Sequence, residues 1–264
     1  MYSNFQLAKK YLKYYFTASN GKGHGVHSPF VFEFIKFVLN DPKHYEIYDK
    51  AEALRKRLLK DEHFIEVEDF GAGSAVIKTN RRKVKDIAAS SLKPKKYSRL
   101  LFRMVQFYGL QQVLELGTSF GITTAYMASA KNNPVVTTME GSPEIAAIAG
   151  QNFGILELDH INIITGDFEN TLPAFLTGRK IGLAFVDGNH RKQPTLRYFE
   201  QILSSAEDDT IIVFDDIHWS REMEEAWEAV KQHDAATLSI DLFFIGIIFL
   251  RKDFKVKQHF TVRF

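Results

Sequence analysis

The chain contains no cysteine. This excludes a disulfide framework, a thiolate metal site and a cysteine nucleophile, so any metal has to be held by carboxylate, amide or imidazole. Charge of one sign is also missing. Lys+Arg 34 against Asp+Glu 32 leaves a formal net charge of +2, and nothing global argues for nucleic acid or an acidic membrane as partner. No apolar run approaches the ~20 residues of a membrane span, and the N-terminus has no uninterrupted apolar segment of the signal-peptide kind. The longest candidate, Leu242 to Leu250, reads as a buried strand. A cytoplasmic location is expected. What is present is a 45% hydrophobic composition over 264 residues, enough for one large domain or a domain of about 150–200 residues with an appendage.

Two regimes follow one another along the chain. Up to about Leu110 the pattern is helical and aromatic, with helices expected over Phe5 to Thr17, Phe30 to Leu39, His44 to about Leu59, Val84 to Ser90 and Ser98 to Tyr108. Ser28-Pro29 supplies an N-cap and a first-turn proline for the second of these. From Gln111 onward, strand-like runs at Val113–Glu115, Val135–Glu140, Ile161–Thr165, Ile181–Asp187 and Thr210–Asp215 alternate with helical segments, which argues for βαβ units and a parallel sheet. Leu238–Asp241 and Phe244–Arg251 are separated by only a couple of residues, so they form an antiparallel hairpin. The expected fold is therefore α/β: a Rossmann-like sheet of five parallel strands closed by a C-terminal antiparallel hairpin. A helical N-terminal cap over residues 1–95 would precede a cofactor-binding domain over 96–264.

In an open α/β sheet, ligands bind beyond the carboxyl ends of the strands. Here all five of those ends carry an acid: Glu115, Glu140, Asp167, Asp187 and Asp215. The first opens the run Glu115-Leu116-Gly117-Thr118-Ser119-Phe120-Gly121-Ile122-Thr123, a strand that turns on glycine and enters a helix. Such a turn lets backbone approach a nucleotide-like ligand. Glu140 stands 19 residues beyond Gly121, where a dinucleotide fold places the acid that accepts from a ribose diol. That spacing suits NAD as well as S-adenosylmethionine. The run lacks the paired glycines that bring backbone against a pyrophosphate, which favours the cofactor without phosphate.

These motifs, with Thr138-Met139-Glu140-Gly141-Ser142-Pro143-Glu144 and Phe185-Val186-Asp187-Gly188-Asn189-His190, resemble those of the class I S-adenosylmethionine-dependent methyltransferases. Within them the chain is similar to small-molecule O-methyltransferases of the catechol and caffeoyl-CoA type and to related Asp-Gly-x-His methyltransferases. The resemblance covers roughly Tyr97 to Arg251. It implies a cofactor site built from Glu115, Gly117, Thr118, Ser119, Gly121, Thr123, Glu140, Gly141, Ser142, Asp167, Phe168 and Asp187. In it Gly117 would line the methionine moiety, Thr123 its carboxylate, Glu140 the ribose, and Asp167 with Phe168 the adenine. It further implies a divalent cation such as Mg²⁺, held by Asp187 and the pair Asp215-Asp216, where the family carries Asp-Asn. The family's catalytic lysine position is occupied by His190, and histidine titrates near neutrality and can take a hydroxyl proton. His218 is a second candidate base or metal ligand.

The resulting expectation is methyl transfer to an oxygen of a small molecule. The alternatives are a non-catalytic S-adenosylmethionine-binding regulatory module and a nicotinamide-dependent oxidoreductase. Nucleic acid is not an expected partner: Asn80 to Lys96 is basic, but no RNA-binding signature accompanies it and the Asn/Asp-Pro-Pro-Tyr motif of base N-methyltransferases is absent. A homodimer is left open. Asp69-Phe70-Gly71-Ala72-Gly73-Ser74 looks like a cofactor loop, yet it follows a short charged segment and reads better as a lid or turn. Arg81 to Asp86 reads as a charged helix. The aromatic stripe Phe30, Phe32, Phe34, Phe37 reads chiefly as core, and His24 and His27 as surface or capping residues.

Overall fold

The computed structural model describes residues 1–67 and 80–264, so the Asp69–Ser74 segment lies outside the described residues. In chain order the helical half comprises α1 (Asn4–Thr17), α2 (Pro29–Phe34) running into a π-helical turn (Ile35–Leu39), α3 (Glu46–Leu58), β1 (Phe64–Glu66), β2 (Arg81–Lys83), α4 (Val84–Ser91) and α5 (Lys95–Tyr108). The alternating half begins with β3 (Gln112–Leu116), α6 (Ile122–Ala128), β4 (Val135–Glu140), α7 (Pro143–Ile155), β5 (Ile161–Thr165) and α8 (Phe168–Leu176). It continues through β6 (Ile181–Val186), α9 (Lys192–Leu203), β7 (Ala206–Asp215), α10 (Arg221–Gln232), β8 (Leu238–Asp241), β9 (Ile245–Phe249) and β10 (Gln258–Thr261). The fold is the mostly parallel α/β type that the alternation required. The chain forms two compact units, Pro42–Thr177 and Met1–Asp41 with Gly178–Phe264.

In the unit Pro42–Thr177, β4 lies between β3 and β5 and is parallel to both. Val113, Leu114, Leu116, Val136 and Met139 are buried, as near-continuous apolar strands covered on both faces should be. Every residue of α6 is buried as well. α5 ends on Gly109 in the left-handed conformation at φ 64°, a position where glycine avoids the Cβ penalty. The charged helix expected from Arg81 does not start there. Arg81–Lys83 instead pairs antiparallel with Phe64–Glu66, and the helix begins at Val84. The cause is local: Arg81 and Lys83 place their cations 4.9 and 5.3 Å from the centroid of the exposed Phe64 ring, while Lys83 and Lys85 pair with Glu62. Part of the basic segment is thus already neutralised.

In the other unit, β6 and β7 are parallel, β9 runs antiparallel to β7, and β8 closes the expected hairpin against β9. β10, which the sequence pattern did not reveal, adds a parallel strand to β8. It anchors α1: the Tyr14 hydroxyl donates to the Val262 carbonyl at 2.6 Å, and Ser19 N–H donates to Thr261 at 2.8 Å. α1 is closed at its start by a capping box between Ser3 and Gln6, which satisfies two otherwise orphaned donors. Ser28 and Pro29 start α2 as expected. Phe30 and Phe34 pack edge-on against Phe249 at 4.9 and 6.1 Å, whereas Phe32 and Phe37 are exposed. Of the aromatic stripe, Phe34 is core and Phe30 is half-buried beside it. His24 and His27 are exposed.

Candidate functional site

The glycine-rich run forms a loop between β3 and α6 in which Gly117, Ser119 and Gly121 all have positive φ, at 107°, 47° and 77°. Gly121 cannot be replaced without displacement, because a Cβ there would lie 2.4 Å from Phe153 of α7. The loop is tied to the end of β4: Gly117 and Thr118 N–H groups donate to the Met139 carbonyl at 3.0 and 3.1 Å. Glu140 completes the tie, with Oε2 accepting from Ser119 N–H at 2.9 Å and Oε1 from Ser142 N–H at 3.1 Å. Each carboxylate oxygen offers two lone pairs, so Glu140 can hold the loop and still accept from a ligand hydroxyl.

The expected cofactor residues separate by depth. Gly117, Ser119, Glu140, Gly141, Asp167 and Phe168 are half-buried and present surface. Glu115, Thr118, Thr123, Gly121 and Ser142 are buried. Glu115 has no exposed surface at all; its Oε2 accepts from Thr138 at 2.7 Å and from Thr124. Burial pushes its carboxyl up to about 7, assisted by the charge of Glu140 and opposed by the two threonine hydroxyls. It is a support beneath the loop rather than a contact surface. Thr118 is bonded to Thr138 at 2.6 Å and Thr123 to Ser98 at 3.4 Å. Asp167 caps α8 by accepting from Glu169 N–H at 3.1 Å. Asp187 belongs to the other unit.

Sequence reasoning missed several residues that shape this loop. Thr124 and Thr138 hold Glu115, Asn152 donates to the Phe120 carbonyl at 3.0 Å, and Ser91 shares a 2.7 Å hydrogen bond with Ser119. The paired threonines Thr137-Thr138 interrupt an apolar run in β4, but only the register of Thr138 against Glu115 singles it out.

In the unit containing β6 and β7, the strand ends bring Asp187, His190 and Asp215 together, with one potential ligand atom from each within 4.8 Å of the others. His190 Nε2 lies 3.7 Å from Asp187 Oδ1, and the His190 and Trp219 ring centroids are 5.8 Å apart. Asn189 and His190 both adopt positive φ, at 67° and 36°. This turns the chain so that a side chain three residues on from Asp187 returns beside it. Asn189 is itself held by Tyr198 at 3.2 Å and Arg191 at 2.8 Å. Two carboxylates and an imidazole are an oxygen-rich donor set suited to a divalent cation.

Two expectations change here. Asp216 lies outside the Asp187–His190–Asp215 group; the chain enters a left-handed conformation at its φ of 54°, so the consecutive acids diverge. His218 is not placed as a base or metal ligand either, because both of its ring nitrogens face carboxylates. Nδ1 is 3.0 Å from Glu224 and Nε2 is 2.8 Å from Asp241, while the ring stacks on Phe243 at 5.1 Å. Glu224 in turn accepts from Tyr2 at 2.7 Å and Lys10 at 2.9 Å.

Residues 114–217, from the glycine-rich loop through the acid–imidazole group, match the family model described as a methyltransferase domain. The matched segment is confined to this part of the chain. No curated protein matches the sequence. Solved structures resemble it at low identity. The O-methyltransferase from Bacillus cereus in complex with SAH is 17% identical with a TM-score of 0.56, over 80% of this chain and 93% of that one. The O-methyltransferase TomG from Streptomyces achromogenes, in complex with SAM, is 15% identical at TM-score 0.57, over 82% and 95%. The SAH-bound Podospora anserina methyltransferase is 16% identical at TM-score 0.55, over 80% and 98%. At these identities the likeness is one of fold. The matched segment and the fold point the same way.

Proposed function

We propose that this protein is an S-adenosylmethionine-dependent O-methyltransferase acting on a hydroxyl of a small molecule. The observation that carries the reading is the clamp of Glu140 on Ser119 and Ser142, within a domain that matches methyltransferases. It presents a half-buried carboxylate beside a glycine-rich loop, the arrangement a ribose diol requires. Gly117 and Ser119 offer backbone to the methionine end, and Asp167 and Phe168 flank the adenine.

On the acceptor side, His190 takes the proton of the acceptor hydroxyl on Nε2. Bound S-adenosylmethionine would supply the methyl group from its sulfonium, forming the carbon–oxygen bond as the carbon–sulfur bond breaks and leaving as a neutral thioether. Asp187 stabilises the imidazolium that results. A direct displacement of this kind needs little covalent help from the protein, so orientation supplies most of the acceleration. Asp187 and Asp215 would hold a divalent cation, which as a Lewis acid would make the acceptor hydroxyl easier to deprotonate. The closeness of His190 to both acids favours a second reading, in which it is the third metal donor.

Calorimetric titration with S-adenosylhomocysteine and NADH tests the cofactor. S-adenosylhomocysteine is expected to bind and Glu140→Ala to weaken it at least about tenfold; binding of NADH instead would overturn the assignment. For His190→Ala, loss of turnover that excess divalent cation does not restore supports the base, and restoration supports the donor. Full turnover of that variant, at saturating cofactor and cation, would remove His190 from both roles.

A further inference from the structure

α1 has two apolar faces. The inner one is occupied: Leu7, Tyr11 and Tyr14 pack with Phe243 and Ala18, and Lys10 is held by Glu224. The outer one carries Phe5, Leu12 and Phe16, exposed by 80%, 55% and 77%. At 3.6 residues per turn these three fall within about 40° of one another on the helix. Lys9 borders that arc, about 20° from Phe16, and Lys13 follows about 40° further round, both exposed. Isolated exposed apolar residues need no explanation, but an aligned stripe of two phenylalanines and a leucine does.

The charge around the stripe says what covers it. Residues 1–32 contain Lys9, Lys10, Lys13 and Lys22 and no aspartate or glutamate. A second copy docking through this face would bring lysines against lysines with no acid of the segment to pair them. An anionic lipid surface meets both requirements, since its headgroups neutralise the lysines while the rings enter the acyl boundary. The helix is already ordered by its inner face, so docking carries no cost of folding it. No described helix is long and apolar enough to cross a membrane, which fits a helix lying in the surface plane.

We propose that α1 is a membrane-surface helix that docks the protein on anionic bilayers through Phe5, Leu12 and Phe16, with Lys9 and Lys13 contacting headgroups. The reading is independent of the methyl-transfer site. The test is flotation of the full chain with vesicles of mixed phosphatidylglycerol and phosphatidylcholine, against pure phosphatidylcholine, over a salt series. Binding is expected to the mixed vesicles only, fading as salt rises. Phe5→Ser combined with Phe16→Ser should lower partitioning at least about tenfold, and Lys9→Gln with Lys13→Gln should remove the lipid preference. These exposed substitutions should leave the circular dichroism and S-adenosylhomocysteine affinity unchanged. No binding at low salt, equal binding to neutral vesicles, or wild-type binding by either double variant would overturn the proposal. So would a dimer in sedimentation equilibrium that Phe5→Ser with Phe16→Ser dissociates, which would assign the stripe to a second copy.

Discussion

His218 Nε2 lies 2.8 Å from Asp241 Oδ2, fastening the turn after β7 to the end of β8. Burial opposes protonation of this imidazole, but the carboxylates of Asp241 and Glu224 outweigh it, and the net shift is upward from 6.5. A raised value in the folded state binds protons that the unfolded chain has released. The contribution is therefore complete below about pH 6.5 and disappears as pH rises through the folded value. His218→Gln should cost on the order of 2 kcal/mol at pH 6 and less in alkali, read by urea unfolding at several pH values. Its kcat should fall much less than that of His190→Ala. Equal loss in the two variants would return His218 to the chemistry.

Glu115 supplies a pH dependence of the same sign from the opposite charge type. Its carboxyl is raised from 4.5 to about 7 because it is fully buried, so the folded state holds a proton across that interval that the unfolded state has lost. Stability from this group is complete below about pH 4.5 and falls as pH climbs through 7. Glu115→Gln should flatten that decline and, above pH 8, raise stability by roughly 2–4 kcal/mol relative to wild type. Calorimetric melting of both proteins from pH 5 to about 9 checks it.

Gly121→Ala should be destabilising by roughly 2 kcal/mol or more, because it forces a side chain into φ 77° and against Phe153 at 2.4 Å. Since the same residue ends the loop proposed to carry the cofactor, S-adenosylhomocysteine affinity should fall with it. Unchanged melting temperature would show that α7 yields at Phe153 at little cost.

The two consecutive acids after β7 should behave differently toward a divalent cation. Asp215 belongs to the group with Asp187 and His190, and Asp216 does not. Asp215→Asn is expected to weaken Mn²⁺ binding at least about tenfold, followed by electron paramagnetic resonance of the free ion. Asp216→Asn should leave it within about twofold. The reverse order would mean that the cation sits on Asp216.

Much of this architecture is legible in the chain because parallel strands buried on both faces become short apolar runs, and because the acids that end them mark the ligand edge. The hairpin at Leu238–Phe249 followed from its short connection alone. β10 was not legible: Gln258–Thr261 is short and half exposed and becomes a strand only where β8 offers an edge. Arg81–Lys83 misled in the other direction, since a run of charges has no periodicity and the ring of Phe64 decided its conformation. At the candidate site, residue type and spacing single out Glu140, Asp187 and His190. Depth and backbone handedness were hidden. Nothing in the sequence distinguishes a fully buried Glu115 from a half-buried Glu140, or tells which of Asp215 and Asp216 turns away.

The division of the chain also sets an order of assembly. Pro42–Thr177 is continuous, but the unit holding α1 is completed only by Gly178–Phe264. Tyr14 waits for Val262, and Ser19 for Thr261. α1 therefore docks only once the C-terminal strand has formed, and until then both of its apolar faces stay uncovered. Until that strand is in place, the helix adds transiently exposed aromatic surface to every folding intermediate, the kind of surface through which such species aggregate.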